Sequence, residues 1–394
     1  MKEFDLYHNV SPNTHILKYF YYFIMCWLLL AIALLVFSFL GDKRLNRNKS
    51  YLIFRLLLIV SLSIIPGFGG LVAQDHDNYL KTFLLADFDL LFSFVYIPGV
   101  SLEPGFLLLN ILAKIMSLGI AGYFFFISFL INYFIVVFSY RFSFPLISLL
   151  IFIISGYYFQ EANLVRQMLS IGICMCSVKY FNKNTLSKYL GCLLLAATIH
   201  KSALLFLIFI PFLYFDYVRH YKKIKLVFFF LWILSFAFLL GILPFNFFID
   251  LLIGSGPLAE LYSTYITLDN AVGSESKFSI IYFYNLFFII VAFCSKPHKH
   301  HICFIYSFLG SILTNISFVF PNAFRVALYF MVPFSLFIPY ICRRTKSYYF
   351  LNYTQVFILY ASYIVYNCYI FFFKFILGNQ ILGSKMYSFS LFLN

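Results

Sequence analysis

Residues 160–181, QEANLVRQMLSIGICMCSVKYF, and residues 188–206, KYLGCLLLAATIHKSALLF, decide how this chain is organised. Both segments are strongly apolar, yet each carries two ionisable side chains: Glu161 and Arg166, His200 and Lys201. A charge inside hydrocarbon costs about 3 kcal/mol or more, so such residues usually face a watery cavity and have a function there. We therefore expect the rest of the chain to bring these groups together on one side of a membrane.

The composition identifies a membrane protein. The chain has 394 residues, of which 63% are hydrophobic and 11% are charged, whereas soluble domains carry roughly 25% charged residues. Its repeated apolar runs are long enough to cross a hydrocarbon core of about 30 Å. The fold class predicted is all-α, a polytopic integral membrane protein with residues 1–394 in one membrane domain. The first apolar run is too long for the core of a signal peptide and is interpreted as a retained helix.

We predict about twelve transmembrane helices. Their approximate bounds are 17–40, 51–68, 119–140, 143–159, 164–181, 188–200, 202–217, 225–243, 278–294, 301–319, 325–341 and 352–373. The sixth and seventh are short, which indicates a broken or re-entrant pair instead of two full crossings.

The charge pattern assigns the sides of the membrane. The net charge is +14, and basic residues follow every odd-numbered span, which places those loops in the cytoplasm. The larger loops 69–118 and 244–277 then face the outer side of the membrane. No zinc-finger, RGG or helix-turn-helix pattern accompanies the positive charge, so nucleic acid is not an expected partner.

Two arginines open spans from this outer side, Arg166 in NLVRQMLSIG and Arg325 in FRVALYF. The planar guanidinium suits bidentate binding of phosphate oxygens. Two such groups, with few other cations on that face, predict a clamp for a pyrophosphate. The alternative is that they snorkel to lipid headgroups, or that Arg166 pairs with Glu161. Tyr329 lies four residues after Arg325, on the same helical face, and is predicted to contribute to substrate binding.

The candidate acid–base groups lie in three other outer segments. His200 is followed by Lys201 and Ser202 in a polar interruption of an apolar run, which is typical of a broken helix that lines a site. The acidic segments QDHDNY and LEPGF contain Asp75 and Glu103. Asp75, Glu103 and His200 are all candidates for a general base acting on a sugar hydroxyl. The alternative for the acids is that they are solvated loop residues.

The sequence also offers a candidate for sugar binding and a cluster of histidines and cysteines that could suggest a metal site. Tyr79, at the end of QDHDNY, is a candidate to hold a sugar ring. The histidines and cysteines around His298 have irregular spacing and lie on the cytoplasmic side, so no metal site is predicted there.

The ordered set of motifs resembles the EpsG/Wzy family of bacterial polysaccharide polymerases. The set comprises QDHDNY, EPGF, NLVRQMLSIG, LLAATIHKSAL and FRVALYF, and it spans about residues 55–335. An Arg that family members often carry before the acidic motif is replaced here by GFGGLVA. The resemblance implies a helical bundle in the bacterial inner membrane whose site, at the periplasmic face, acts on glycans linked to undecaprenyl pyrophosphate. It also implies catalytic or substrate-binding roles for Asp75, Tyr79, Glu103, Arg166, Gln167, His200, Lys201, Ser202 and Arg325.

On this basis the chain is expected to be an O-antigen or related polysaccharide polymerase. The resemblance implies a glycosyltransferase that inverts the anomeric centre and needs no metal or other cofactor. Expected partners are the lipid-linked glycans, membrane lipid and a chain-length regulator. The alternatives are an O-antigen ligase, a more distant acyltransferase, and a flippase for lipid-linked oligosaccharides. A flippase is disfavoured because the charges cluster at one face and no internal repeat is visible.

Overall fold

The structure, a computed structural model, describes residues 49–69, 75–92, 103–141, 145–155, 157–158, 160–214, 217–239, 301–317 and 322–344. Every regular element in these ranges is helical, so the predicted all-α class is confirmed for this part of the chain. The helices divide into two compact units, with the boundary between Leu205 and Phe206. The predicted spans 17–40, 278–294 and 352–373 and the loop 244–277 lie outside the described residues.

The first unit contains nine α-helices in the described ranges. They are α1 (Lys49–Gly69), α2 (His76–Leu85), α3 (Phe88–Phe92), α4 (Pro104–Ile115), α5 (Ile120–Ser139), α6 (Pro145–Ile154), α7 (Gln160–Asn163), α8 (Val165–Ser177) and α9 (Leu186–Ile199). Short 3₁₀ turns at Val178–Tyr180 and Lys183–Thr185 connect α8 to α9, and a 3₁₀ helix, Lys201–Phe209, follows α9.

Helix α5 is the centre of the first unit, with α1, α6 and α8 packed around it. Its inward stripe, which recurs every three to four residues, consists of Tyr123, Ile127, Ile131, Ile135 and Phe138, all buried. Helix α8 is buried on nearly all sides, including its polar residues Gln167, Ser170 and Ser177, so it is surrounded by protein. Gly172 allows α8 to approach α5 closely, since a Cβ there would lie 2.9 Å from the Cβ of Phe134.

The segment 69–118, predicted to be an outer loop, contains three helices that pack on one another. The ring of Tyr79 meets that of Phe106 near the starts of α2 and α4, at 6.1 Å between centroids. Near the ends of the same two helices, Lys114 Nζ donates to the carbonyl oxygens of Leu84 and Ala86, at 2.7 and 2.8 Å. Helices α2 and α4 therefore run in the same direction, and the lysine satisfies the terminal carbonyls of α2.

Helix α5 is the one helix in the described part of the chain that is long and apolar enough to cross a membrane. Several predicted spans are shorter in the structure than in the sequence analysis. Helix α8 has 13 residues and α9 has 14, whereas a full crossing needs about 20. The chain changes from α-helix to 3₁₀ helix at His200, in agreement with the predicted interruption. The count of twelve spans stays a prediction.

The second unit contains four α-helices in its described ranges. They are α10 (Ile210–Tyr214), α11 (Tyr217–Leu239), α12 (His301–Ser317) and α13 (Asn322–Arg344). Helix α12 packs against both α11 and α13. Its contact with α11 includes a buried hydrogen bond from Asn315 Nδ2 to Ser235 Oγ, at 2.9 Å. Phe206 and Phe209 pack on Tyr306 and Phe330 in an aromatic core.

The contact between α5 and α8 predicts opposite effects for two glycine substitutions. Gly172→Ala should lower the melting temperature of the purified protein in detergent, because overpacking costs about 1–3 kcal/mol and exceeds a gain in helix propensity of about 1 kcal/mol. Gly191→Ala on α9 is the matched control, since a Cβ there meets nothing within 4 Å. It should leave the melting temperature unchanged or raise it. Equal effects of the two substitutions would contradict the close approach of α5 and α8.

Candidate active site

Four predicted site residues lie where helices of the first unit begin or break. Tyr79 is in the first turn of α2, Glu103 directly precedes α4, Arg166 is the second residue of α8, and His200 separates α9 from the 3₁₀ helix. The sequence explains the start of α4, because Pro104 favours the first helical position and restricts the residue before it to extended backbone. Glu103 has this conformation, with φ −65° and ψ 120°.

The Glu103 carboxylate lies against two other candidates, Arg166 and His200. Arg166 Nη1 donates to Glu103 Oε2 at 2.6 Å. His200 Nδ1 lies 3.6 Å from Glu103 Oε1, just beyond a hydrogen bond. The exposed fractions of the side chains are 14% for Glu103, 26% for Arg166 and 24% for His200. One carboxylate therefore lies between a guanidinium and an imidazole, and all three side chains are partly exposed.

Aromatic rings support the guanidinium of Arg166. Its Cζ lies 5.9 Å from the ring centroid of Tyr79 and 5.8 Å from that of Phe106. Cation–π contacts at this distance favour a fixed cation. The hydroxyl of Tyr79 donates to the carbonyl oxygen of Asn163 at 3.1 Å, which ties α2 to the residues just before α8. Phe106 belongs to the LEPGF segment, but the sequence analysis gave it no role.

Close helix contacts bring the three groups together. A Cβ on Gly105 would collide with Thr198 Oγ1, so only glycine lets the start of α4 lie against the end of α9. This approach places Glu103 beside His200. On the other side of α9, Ser170 Oγ of α8 donates to the carbonyl oxygen of Ala196 at 3.1 Å. Helix α9 is thus held between α4 and α8 at the site.

The pKa of Glu103 is well below its usual value. Burial by itself raises the pKa of this carboxyl, but interaction with His200 and the charge of Arg166 outweigh it and lower the pKa from 4.5 to about 2. The carboxylate is therefore ionised across the physiological range. It is therefore a fixed negative charge beside Arg166 and His200.

Three helix starts place partial positive charge at the candidate site. Helices α2, α4 and α8 all begin at the site, and the backbone N–H groups in the first turn of a helix carry a partial positive charge. Helix starts of this kind bind phosphate and other anions. With the charge of Arg166 added, the arrangement is suited to an anionic ligand although it contains one carboxylate.

The other predicted residues have different placements. Lys201 is exposed and Ser202 is half-buried at the start of the 3₁₀ helix, while Gln167 is buried in α8. Asp75 is half-buried just before α2, and its side chain makes no capping hydrogen bond. Their roles in binding or catalysis stay predictions.

Arg325 and Tyr329 lie on α13 of the second unit. Arg325 is exposed, whereas Tyr329 is completely buried with its ring 5.8 Å from that of Phe206. The clamp formed by Arg166 and Arg325 therefore stays a prediction.

Glu161 is not on an aqueous surface, contrary to the sequence analysis. It is 1% exposed and accepts a hydrogen bond from Asn132 Nδ2 at 2.8 Å. It is also not the ion-pair partner of Arg166, which is Glu103. The sequence separation was misleading, because α7 turns Glu161 towards α5 before α8 begins.

No group of three or more metal-ligating side chains occurs in the part of the chain that the structure describes. Of the histidines and cysteines considered in the sequence, Cys294, His298 and His300 lie outside that part.

The low pKa of Glu103 predicts how stability depends on pH. A lowered pKa stabilises the fold fully above the unfolded value of 4.5, and this contribution is lost as the pH falls through the folded value of about 2. The measurement is the difference in melting temperature between the wild type and Glu103→Gln. Below pH 4.5 the difference should shrink. Asp77→Asn, at an exposed acid of α2, controls for the loss of any acidic group. A difference that is independent of pH would contradict the assignment.

Comparison with models of protein families gives a match to the EpsG family over residues 52–391. This range contains every residue of the candidate site. No curated protein and no solved structure was found to match the chain. Membership of this family is consistent with a polysaccharide polymerase-like membrane protein. The match covers most of the sequence and agrees with the resemblance of the motifs, and the chain therefore belongs to the EpsG family.

Proposed function

We propose that this protein is a polysaccharide polymerase that joins oligosaccharide repeat units linked to undecaprenyl pyrophosphate, at the periplasmic face of the bacterial inner membrane. The products would be O-antigen or a related polysaccharide. The observation that carries the proposal is the Glu103 carboxylate between Arg166 and His200, at a point where three helices begin. Family membership supports the same class of reaction.

The proposed reaction makes one bond and breaks one. An acceptor hydroxyl attacks the anomeric carbon of the donor sugar, and the bond from that carbon to the pyrophosphate oxygen breaks. The hydroxyl proton goes to a base, and the lipid pyrophosphate leaves with an added negative charge. A single displacement inverts the anomeric centre. Because pyrophosphate is already a good leaving group, the protein has to supply positioned positive charge and a base.

Arg166 is proposed to bind the pyrophosphate. Its guanidinium carries five N–H donors, and one nitrogen, Nη1, is used by Glu103. Its Nε has no hydrogen-bond partner among the described residues. The ion pair with Glu103 and the rings of Tyr79 and Phe106 fix the plane of the guanidinium. Charge held in place before the reaction needs no reorganisation when the leaving group develops its own charge.

His200 is the best candidate for the base. A general base works best when its pKa is near the operating pH, so a carboxylate with a pKa of about 2 is a poor one. Glu103 is better suited to orienting His200, whose Nδ1 faces its Oε1. If Nδ1 carries the proton, Nε2 is left to accept one from the acceptor hydroxyl. Asp75 makes no described contact with this group and ranks below His200.

The lengths of α8 and α9 support a site near the outer surface. Lysines at 179, 183 and 188 surround the link between these helices and favour the cytoplasmic side for it. From that end, 13 or 14 helical residues reach about 20 Å into a hydrocarbon core of about 30 Å. The site would then lie about 10 Å below the outer boundary, accessible to a pyrophosphate whose lipid stays in the bilayer.

The lipopolysaccharide of cells that lack the gene tests the proposal. A missing polymerase should leave lipid A-core that carries a single repeat unit. A missing ligase would leave bare core while lipid-linked polymer accumulates, and a missing flippase would leave bare core without polymer. A normal ladder in the deletion strain would contradict all three functions.

Arg166→Ala and Arg166→Lys should both fail to restore long polymer in the deletion strain. Lysine keeps the charge but loses the planar fork, and loss of one transition-state contact typically lowers the rate about 10²-fold or more. Arg141→Ala is the matched control, since Arg141 is exposed and lies after α5 at the opposite end of the bundle. Immunoblots of the membrane fraction check that the variants are present. A normal ladder from Arg166→Ala would remove Arg166 from the site.

His200→Ala should lower kcat by about 10²-fold or more and change KM little, because a general base acts mainly in the transition state. The measurement is polymerisation of lipid-linked repeats by the purified protein. Glu103→Gln should be less severe than His200→Ala, since it removes an orienting group and not the base. The reverse order would make Glu103 the base.

A further inference from the structure

Glu161 is the most deeply buried acid that the structure describes, and the proposed mechanism does not use it. Its residue is 1% exposed, whereas the other described acids are half-buried or exposed. It lies in α7, a single turn between α6 and α8, five residues before Arg166. A buried carboxyl needs compensating interactions, so its contacts indicate what it does.

The contacts of Glu161 are with two neutral donors on α5. Glu161 Oε2 accepts from Asn132 Nδ2 at 2.8 Å and lies 3.5 Å from Ser128 Oγ. Asn132 and Ser128 are four residues apart on one face of α5, and both are buried. The same Asn132 amide donates to the carbonyl oxygen of Ser128 at 3.0 Å. The side chain of Glu161 therefore joins α7 to the central helix of the unit.

Other hydrogen bonds hold the residues around α7. Tyr158 OH donates to the carbonyl oxygen of Leu62 on α1 at 2.5 Å. On the far side of the turn, Asn163 accepts the hydroxyl of Tyr79. The backbone N–H of Leu164 donates to Gln160 at 2.8 Å, so the turn leads directly into α8. The position of this turn sets where α8 starts, and hence where Arg166 lies.

We infer that Glu161 is a positioning residue that fixes the start of α8, and with it the guanidinium of Arg166, through its hydrogen bonds to Asn132 and Ser128. The effect on polymerisation rests on the proposed function. A small displacement of the guanidinium would break its contacts, because it lies 2.6 Å from Glu103 and against the rings of Tyr79 and Phe106. A shift of 1 Å in a catalytic group can lower a rate about 10²-fold.

Three substitutions separate positioning from acid–base chemistry. Glu161→Gln keeps the length of the side chain and an acceptor oxygen for Asn132 and Ser128, but its amide cannot ionise or act as an acid or base. Glu161→Asp keeps the carboxyl but withdraws it by about 1.5 Å, the length of one carbon–carbon bond. Glu161→Ala removes the group. A positioning role predicts that Glu161→Gln is more active than Glu161→Asp, whereas a role in charge or proton transfer predicts the opposite order of activity.

The experiment measures polymerisation and local hydrogen exchange of the purified full-length variants. Activity of Glu161→Gln should stay within about threefold of the wild type, and Asp and Ala should lose about tenfold or more. Peptides covering residues 160–168 should exchange faster in Asp and Ala but not in Gln, while peptides from α9 should be unchanged. Asn132→Ala should reproduce the effect of Glu161→Ala, and the double variant should be little worse than either, since both remove one contact.

Two results would overturn the inference. One is a Glu161→Gln protein as inactive as Glu161→Ala, and the other is wild-type activity and exchange in Glu161→Asp. If the Glu161→Ala protein does not fold, the comparison of Glu161→Asp with Glu161→Gln still tests the inference. If the wild type itself makes no polymer, the proposed function fails, but hydrogen exchange still decides whether Glu161 holds the start of α8. Unchanged exchange in Asp would then overturn the inference.

Discussion

The candidate site depends on a single carboxylate that lies between a guanidinium and an imidazole. Glu103 offers one oxygen to Arg166 and the other to His200. Removing one member of this partly buried charged pair leaves the other without its compensating charge. The three side chains come from three different helices, so the carboxylate also determines how α4, α8 and α9 meet. The contacts that define the candidate site therefore also hold these three helices together.

The helices around the site are short for a structural reason. Helix α8 begins at Val165, one residue before Arg166, and α9 stops at His200, where the backbone becomes extended. Each leaves polar groups that have to be satisfied inside the protein. The surrounding segment 69–118 supplies Tyr79, Glu103 and Phe106 for this purpose. A stretch that looked like a periplasmic loop is thus part of the wall of the site.

The half-buried Glu103 and the buried Glu161 show how the environment of a glutamate determines its contacts. Glu103 lies beside a guanidinium and at the start of a helix, so its ionised form is favoured. Glu161 contacts the amide of Asn132 and the hydroxyl of Ser128, both of them neutral. The first glutamate lies beside Arg166 and His200, whereas the second joins α7 to α5 through neutral hydrogen-bond donors. Nothing in the two local sequences, LEPGF and QEANL, distinguishes these roles.

The sequence by itself determined the class of protein, because the length of the apolar runs and the scarcity of charge admit only membrane helices. It also determined the family and the identities of Glu103, Arg166 and His200 as candidates, since charged groups within apolar segments stand out. The tertiary structure decided which acid Arg166 pairs with. Sequence distance favoured Glu161, five residues away, but the partner is Glu103, 63 residues away. The reason is packing: Gly105 lets α4 lie against α9, and a single helical turn directs Glu161 to α5.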